Sequence, residues 1–129
     1  NYYLFFKLIH MLNNATAANA EVNRKNDAVI SAISYINNNL SQKLEIRDIA
    51  KKCNVSVNTL ERRFLCSLNI TPSKYIKKKR LANAECLLSE GCSVTEAALM
   101  SGFSDCSAFI AEFKKATGVT PLKYKNRRQ

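Results

Sequence analysis

The chain is poor in the residues that punctuate a backbone. Of its 129 residues three are glycine and two are proline, and runs of β-branched residues are few. Sheets favour β-branched strands and need tight turns, so this scarcity points to an all-α fold. Signals of catalysis are equally thin. The single histidine, His10, lies in the N-terminal segment. Gly91, Gly102 and Gly118 stand too far apart to make a phosphate-cradling loop, and no pair of acids sits in an apolar setting that would raise a carboxyl pKa. The five cysteines (53, 66, 86, 92 and 106) are odd in number and show no Cys-x-x-Cys spacing, which argues against a disulfide framework or a zinc site. Reduced thiols in a cytoplasmic protein are expected, with no metal and no cofactor. A redox sensor needs a reactive thiol, and of the five only Cys66, on a polar face near Arg62 and Arg63, and Cys53 are candidates. The composition reads as a protein that binds rather than an enzyme.

Acid is the other shortage. Ten Asp and Glu oppose twenty Lys and Arg, giving a formal charge of +10 and a pI near 9.6. The excess is clustered. Residues 74–80 (KYIKKKR) hold five positive charges and no acid, and residues 114–128 hold six, again with no acid. Two separated basic clusters fit a nucleic-acid partner better than a merely solvated surface.

The one long apolar run is the opening NYYLFFKLIHMLNN, interrupted by Lys7 and His10. Its apolar stretch of about 11 residues is too short for a bilayer, which takes ~20, and it lacks a signal peptide's charged start and cleavage site. No membrane association is expected. The chain starts without Met, which suggests a piece of something longer; residues 1–26 read as an amphipathic helix, packing on an upstream domain or on a partner copy, followed by a linker over 13–26, and residues 27–129 as the domain proper.

Within that domain the helical period governs. Asp27 is the expected N-cap of a helix whose stripe is Val29, Ile30, Ile33, Ile36 and Leu40. LEIRDIAKKC follows, with Leu44, Ile46, Ile49 and Ala50 inward. Asn54, which tolerates positive φ, ends this helix, and Ser56 caps the next, so three residues separate two helices as in a helix-turn-helix. From Val57 to Leu68, Leu60, Phe64 and Leu68 must face the core, while Asn58, Thr59, Arg62 and Cys66 point outward. Thr71-Pro72 starts a connecting helix that runs to about Glu90 before Gly91, a rod of about 27 Å. Ser93-Val94-Thr95-Glu96 is a capping box that opens a second copy. Gly102, Phe103 and Ser104 then match Asn54, Val55 and Ser56 at an offset of 48, whereas Phe64/Phe113, Thr71/Thr120, Pro72/Pro121 and Tyr75/Tyr124 match at 49. One residue inserted at the start of the second reading helix accounts for the change. The expected architecture is therefore two helix-turn-helix subdomains joined by a long helix.

Ala98, Gly102-Phe103, Phe109, Phe113-Lys114-Lys115, Gly118, Thr120-Pro121 and Tyr124, together with Arg80-Leu81, Ala84 and Leu87-Leu88, resemble the DNA-binding domain of AraC/XylS transcription regulators over residues 27–127. The resemblance implies seven helices and two recognition helices laid in successive major grooves, about 34 Å apart for one turn of DNA. It places base-reading positions at Asn58, Thr59, Glu61 and Arg62 in the first unit. In the second they fall at Ser107, Ala108 and Ala111, with Ile110 beside them. Phosphate contacts fall to Ser56, Arg63, Lys74, Lys78, Ser104, Lys114 and Lys115. The second reader has almost no hydrogen-bonding side chains, which leaves it packing, thymine-methyl contacts and phosphate anchoring. Double-stranded DNA is the implied partner, with RNA polymerase as a second and a homodimer formed through an upstream domain. The rival reading is an adaptor that binds RNA polymerase or another regulator through the same fold, with little specific DNA readout.

Overall fold

The computed structural model describes residues 20–128, and these form seven helices with no strand. In chain order they are α1 (Ala20–Asn38), α2 (Ile46–Lys52), α3 (Val57–Leu68), α4 (Pro72–Ser89), α5 (Val94–Met100), α6 (Cys106–Thr117) and α7 (Pro121–Arg128). The apolar segment expected over residues 2–12 lies outside the described residues. No described helix is long and apolar enough to cross a membrane. The chain divides into two compact units. One comprises the described residues up to Asn39 together with Leu44–Lys77, and the other comprises Leu40–Lys43 together with the chain from Lys78 onward.

In the first unit, α1, α2 and α3 pack on one another. Val29, Ala32, Ile36, Ile49, Ala50, Leu60 and Phe64 form its buried core. Two expectations are corrected here. Asp27 does not cap α1, which begins seven residues earlier at Ala20, so part of the expected linker is helical. Ile30 is exposed rather than inward. It is rotated by about 100° from Val29, which puts it off a stripe that Ala28 and Ala32 complete instead. The short turn between α2 and α3 holds Asn54 at φ 57°, in the left-handed region expected for it.

The second unit repeats this construction from Lys78, within α4, through α7. Leu81, Ala84, Leu88, Ala97, Ala98, Phe109 and Phe113 are its buried residues. Its capping box forms as expected, with Ser93 accepting from the Glu96 N–H and the Glu96 carboxylate accepting from the Ser93 N–H. The repeat extends to aromatic geometry. Phe64 meets Tyr75 edge-on at 5.8 Å and 69°, and their counterparts Phe113 and Tyr124 meet edge-on at 5.4 Å and 78°. Such pairs add attraction beyond their buried area and fix ring orientation. The two reading helices also end alike: Asn69 (φ 60°) and Gly118 (φ 82°) both turn left-handed, donating to the carbonyls of Leu65 and Lys114.

The second unit holds a long-range contact at its turn. The Arg80 guanidinium donates through Nε to the Leu40 carbonyl at 3.1 Å and through Nη2 to the Gln42 carbonyl at 2.8 Å. Gly102, at φ 93°, lies against the same carbonyl, so that a Cβ there would fall on the Leu40 oxygen and within 2.8 Å of Arg80 Nε. Around Gly118, in contrast, a Cβ would meet nothing within 4 Å. Gly118→Ala therefore pays only for left-handed backbone, about 1–2 kcal/mol. Gly102→Ala adds a collision with a carbonyl that cannot swing away, for a total of about 2–5 kcal/mol. Urea unfolding of the two variants should rank them in that order, and equal losses would show that the Leu40 contact is not made in solution.

Tyr75 is 1% exposed, and burial pushes its phenol up to about 12. The folded protein thus holds this proton more tightly than the unfolded chain, where tyrosine titrates near 10. The resulting stability is fully present below about pH 10 and is lost as pH rises through about 12. Wild type should lose roughly 2 kcal/mol more than Tyr75→Phe across that window. Urea midpoints measured at matched alkaline pH would test this, and parallel pH profiles would contradict it.

Candidate nucleic-acid interface

Each unit offers one helix of twelve residues set behind a short turn, α3 in the first and α6 in the second. Burial fixes the rotation of each. Leu60 and Phe64 are fully buried on α3, as are Phe109 and Phe113 on α6, so the opposite face of each helix is turned to solvent. On α3 that face carries Asn58 and Arg62, both exposed, with Glu61 and Arg63 half-buried at its flanks. Cys66 follows on the exposed side one turn later. On α6, Ser107, Ala108, Ile110 and Ala111 are all exposed. The positions correspond pairwise at an offset of 49, so a polar outer face in the first unit stands where the second has a mostly apolar one.

The helix starts differ. Ser56 caps α3, accepting from the Thr59 N–H at 3.1 Å and donating its own proton to Thr59 Oγ1 at 2.8 Å. Thr59 is thereby drawn into the cap and is half-buried. Ser104, which matches Ser56 at an offset of 48, does not cap α6. Asp105 takes that place, its Oδ1 accepting from the Ser107 N–H at 3.0 Å. The reason is the turn length: five residues, Ser101–Asp105, precede α6, against four, Cys53–Ser56, before α3. A carboxylate suits a helix N-terminus electrostatically, but it repels a phosphate where the neutral Ser56 would accept one.

The basic residues sort by burial. Lys74 lies exposed in the first turn of α4, where its N–H donates to Thr71 Oγ1 at 3.3 Å. Lys78, Lys79 and Arg80 are half-buried, and burial draws Lys79 and Arg80 below their ordinary pKa values. The run over 74–80 is therefore not a uniform contact surface, since Arg80 is committed to the Leu40 and Gln42 carbonyls. Lys114 and Lys115 are exposed in the last turn of α6, near a helix C-terminus that favours cations. Lys123 and Arg127 on α7 are exposed too.

Arg47 and Lys51 escaped the sequence reading. They line a shallow groove with Asp48, Ala50, Val55, Ser56 and Val57, directly in front of α3. Their spacing of four residues on one helix, beside the capping serine, is the signal that would have found them. Arg47 also makes an exposed 3.4 Å ion pair with Glu45. Of the thiols, burial pushes Cys53 up, and burial together with the Glu90 carboxylate pushes Cys86 up. That is the opposite of what a reactive thiolate needs.

A family model described as a helix-turn-helix domain matches residues 49–127. The HTH-type transcriptional activator RhaR of Mannheimia succiniciproducens is 32% identical over 98 residues, 75% of this chain and 36% of that protein. The chain spans about a third of the length of the curated relatives it matches. Among solved structures, an AraC-type transcriptional regulator from Chromobacterium violaceum is similar at 32% identity and a TM-score of 0.74, over 85% of this chain and 96% of that one. The C-terminal domain of AraT, a response regulator from Geobacillus stearothermophilus, is similar at 32% identity and a TM-score of 0.75, over 79% and 86%. A helix-turn-helix present twice, with left-handed helix ends and edge-on aromatic pairs repeated in both copies, agrees with these likenesses: the chain belongs to the AraC/XylS family of transcription regulators, whose DNA-binding domain it carries.

Proposed function

We propose that this domain binds double-stranded DNA sequence-specifically, as the DNA-binding part of a cytoplasmic transcription activator, with α3 in one major groove and α6 in the next. The observation that carries this reading is the solvent-facing pair Asn58 and Arg62, held outward by the buried Leu60 and Phe64. Arg can bind guanine, and Asn adenine, through two hydrogen bonds in the major groove. Neither residue contributes to the core, so neither is explained by packing. Glu61 beside them can accept from a cytosine amine. Ser107, Ala108 and Ala111 occupy the matching positions of the second reader. Arg63, Lys74, Lys78, Lys114 and Lys115 serve the backbone, joined by Arg47 and Lys51, with Ser56 at the mouth of their groove. Asp105 makes Ser104 the weakest of the phosphate positions. The two unlike readers call for an asymmetric site of two half-sites about one turn apart. Activation, in this reading, runs through contact with RNA polymerase, and an upstream domain supplies dimerisation.

Arg62→Ala should cost about 1–3 kcal/mol on a duplex selected from a random pool and much less on a scrambled one. Ser107→Ala should leave the ratio between the two duplexes nearly unchanged. Titrating both folded variants at fixed salt checks this. A ratio that collapses with Ser107→Ala but survives Arg62→Ala would mean the readers are assigned the wrong way round.

The cations described above are enough to meet about six phosphates, which sets the slope of log affinity against log salt near −5, at roughly −0.9 per contact. Binding isotherms over a range of salt concentrations give this slope directly. A value shallower than about −2 would make the basic residues ordinary solvated surface and favour the adaptor reading.

A further inference from the structure

The two readers differ in chemistry, and they differ again in how the turn before each is held. The first reader is polar, and its turn residue Asn54 is exposed, in a left-handed conformation that leaves room for a side chain. The second reader is apolar on its outer face, and its turn residue Gly102 is pressed against the Leu40 carbonyl, beside the Arg80 Nε that donates to the same oxygen. The loop Leu40–Lys43 belongs to the second unit although α1 and α2, the helices it joins, belong to the first. Arg80 fastens that loop at two carbonyls, Leu40 and Gln42, with the two prongs of one guanidinium. A planar fork of this kind loses little freedom per bond and fixes direction as well as distance.

A hydrogen-bonding reader tolerates small errors of placement, because Arg and Asn side chains are long and adjust. An apolar reader has no such reach. Ala108 and Ala111 gain from a thymine methyl only when the backbone itself brings them into van der Waals contact, and a gap of 0.5–1 Å forfeits about a quarter to a half of that attraction. We infer that Arg80 is a positioning residue for the second reader: by pinning the Leu40–Gln42 loop against Gly102 it sets the turn that leads into α6, and so lets Ala108, Ile110 and Ala111 select thymine methyls by fit. This rests on the proposal that α6 lies in a major groove.

The test uses the full 129-residue chain and a duplex selected from a random pool, in which each thymine of the half-site under α6 is replaced in turn by deoxyuridine. That exchange removes only the methyl group. Wild type should lose about fourfold in affinity per contacted methyl, the worth of one buried methyl-sized group. In Arg80→Ala the same exchange should cost less than about twofold, while discrimination against mismatches in the half-site under α3 is kept. Gly102→Ala retains every charge and should reproduce the effect, which separates positioning from a lost phosphate contact. Arg80→Lys can reach only one of the two carbonyls, so it should fall between wild type and Arg80→Ala; it also serves if the alanine variant does not fold, as read from its helical circular dichroism.

Arg80→Ala keeping the wild-type response to deoxyuridine would overturn the inference, as would an equal loss of discrimination at both half-sites. A wild type indifferent to deoxyuridine, but still selective under α3, would also overturn it while leaving the DNA-binding function intact. A chain that selects no consensus at all would sink both.

Discussion

Rotation of a reading helix about its own axis is the quantity on which recognition depends, and in both units it is set by two large side chains four residues apart. Leu60 with Phe64, and Phe109 with Phe113, are removed completely from solvent. A turn of the helix by one residue, about 100°, would bring these large side chains toward water, so the burial of apolar area resists it strongly. Everything outward follows: which residues face solvent, which lie at the flanks, and which are drawn back into the cap. The edge-on contacts of Phe64 with Tyr75 and of Phe113 with Tyr124 tie each reading helix to the next helix in its unit. The caps fix where each helix starts along its axis.

Much of this was legible in the residues because the signals are local and repeated. Ser56, Asn54, the capping box at Ser93 and the Thr-Pro starts each act within a few residues, and each agrees with the core stripe beside it. The helix over Val57–Leu68 has the bounds its sequence indicates. The errors arose where one residue type could serve two purposes. Asp27 looks like a cap, but a helix that begins at Ala20 has no end to cap there. Ser104 matched Ser56 by alignment, yet the longer second turn hands the cap to Asp105, one residue on. Ile30 has the composition of a core residue and the wrong angle.

The candidate site was legible in its outward residues and illegible in what holds them. Asn58 and Arg62 follow from periodicity alone. Arg47 and Lys51 required knowing that the face of α2 they share opens beside Ser56. Arg80 reads as one more cation in a basic run, because nothing local connects it to carbonyls 40 and 38 residues earlier in the chain. Such long-range pairings are set by tertiary packing and leave no mark in a short window of sequence. The presence of glycine at 102 and asparagine at the equivalent 54 is the nearest thing to a trace of it.

The separation of core stripe from outer face also has a bearing on what the fold can be made to do. Because Asn58, Glu61 and Arg62 lie off the buried stripe of α3, and Ser107, Ala108 and Ala111 off that of α6, the identity of these side chains is nearly independent of the stability of the domain. The alanines of α6 are then open to replacement: short stems on an already oriented helix, onto which a longer polar side chain can be written without repacking anything beneath. A single copy of the motif that altered its target would have to abandon the old one. A chain with two copies can keep the outer face of one helix unchanged while that of the other is rewritten.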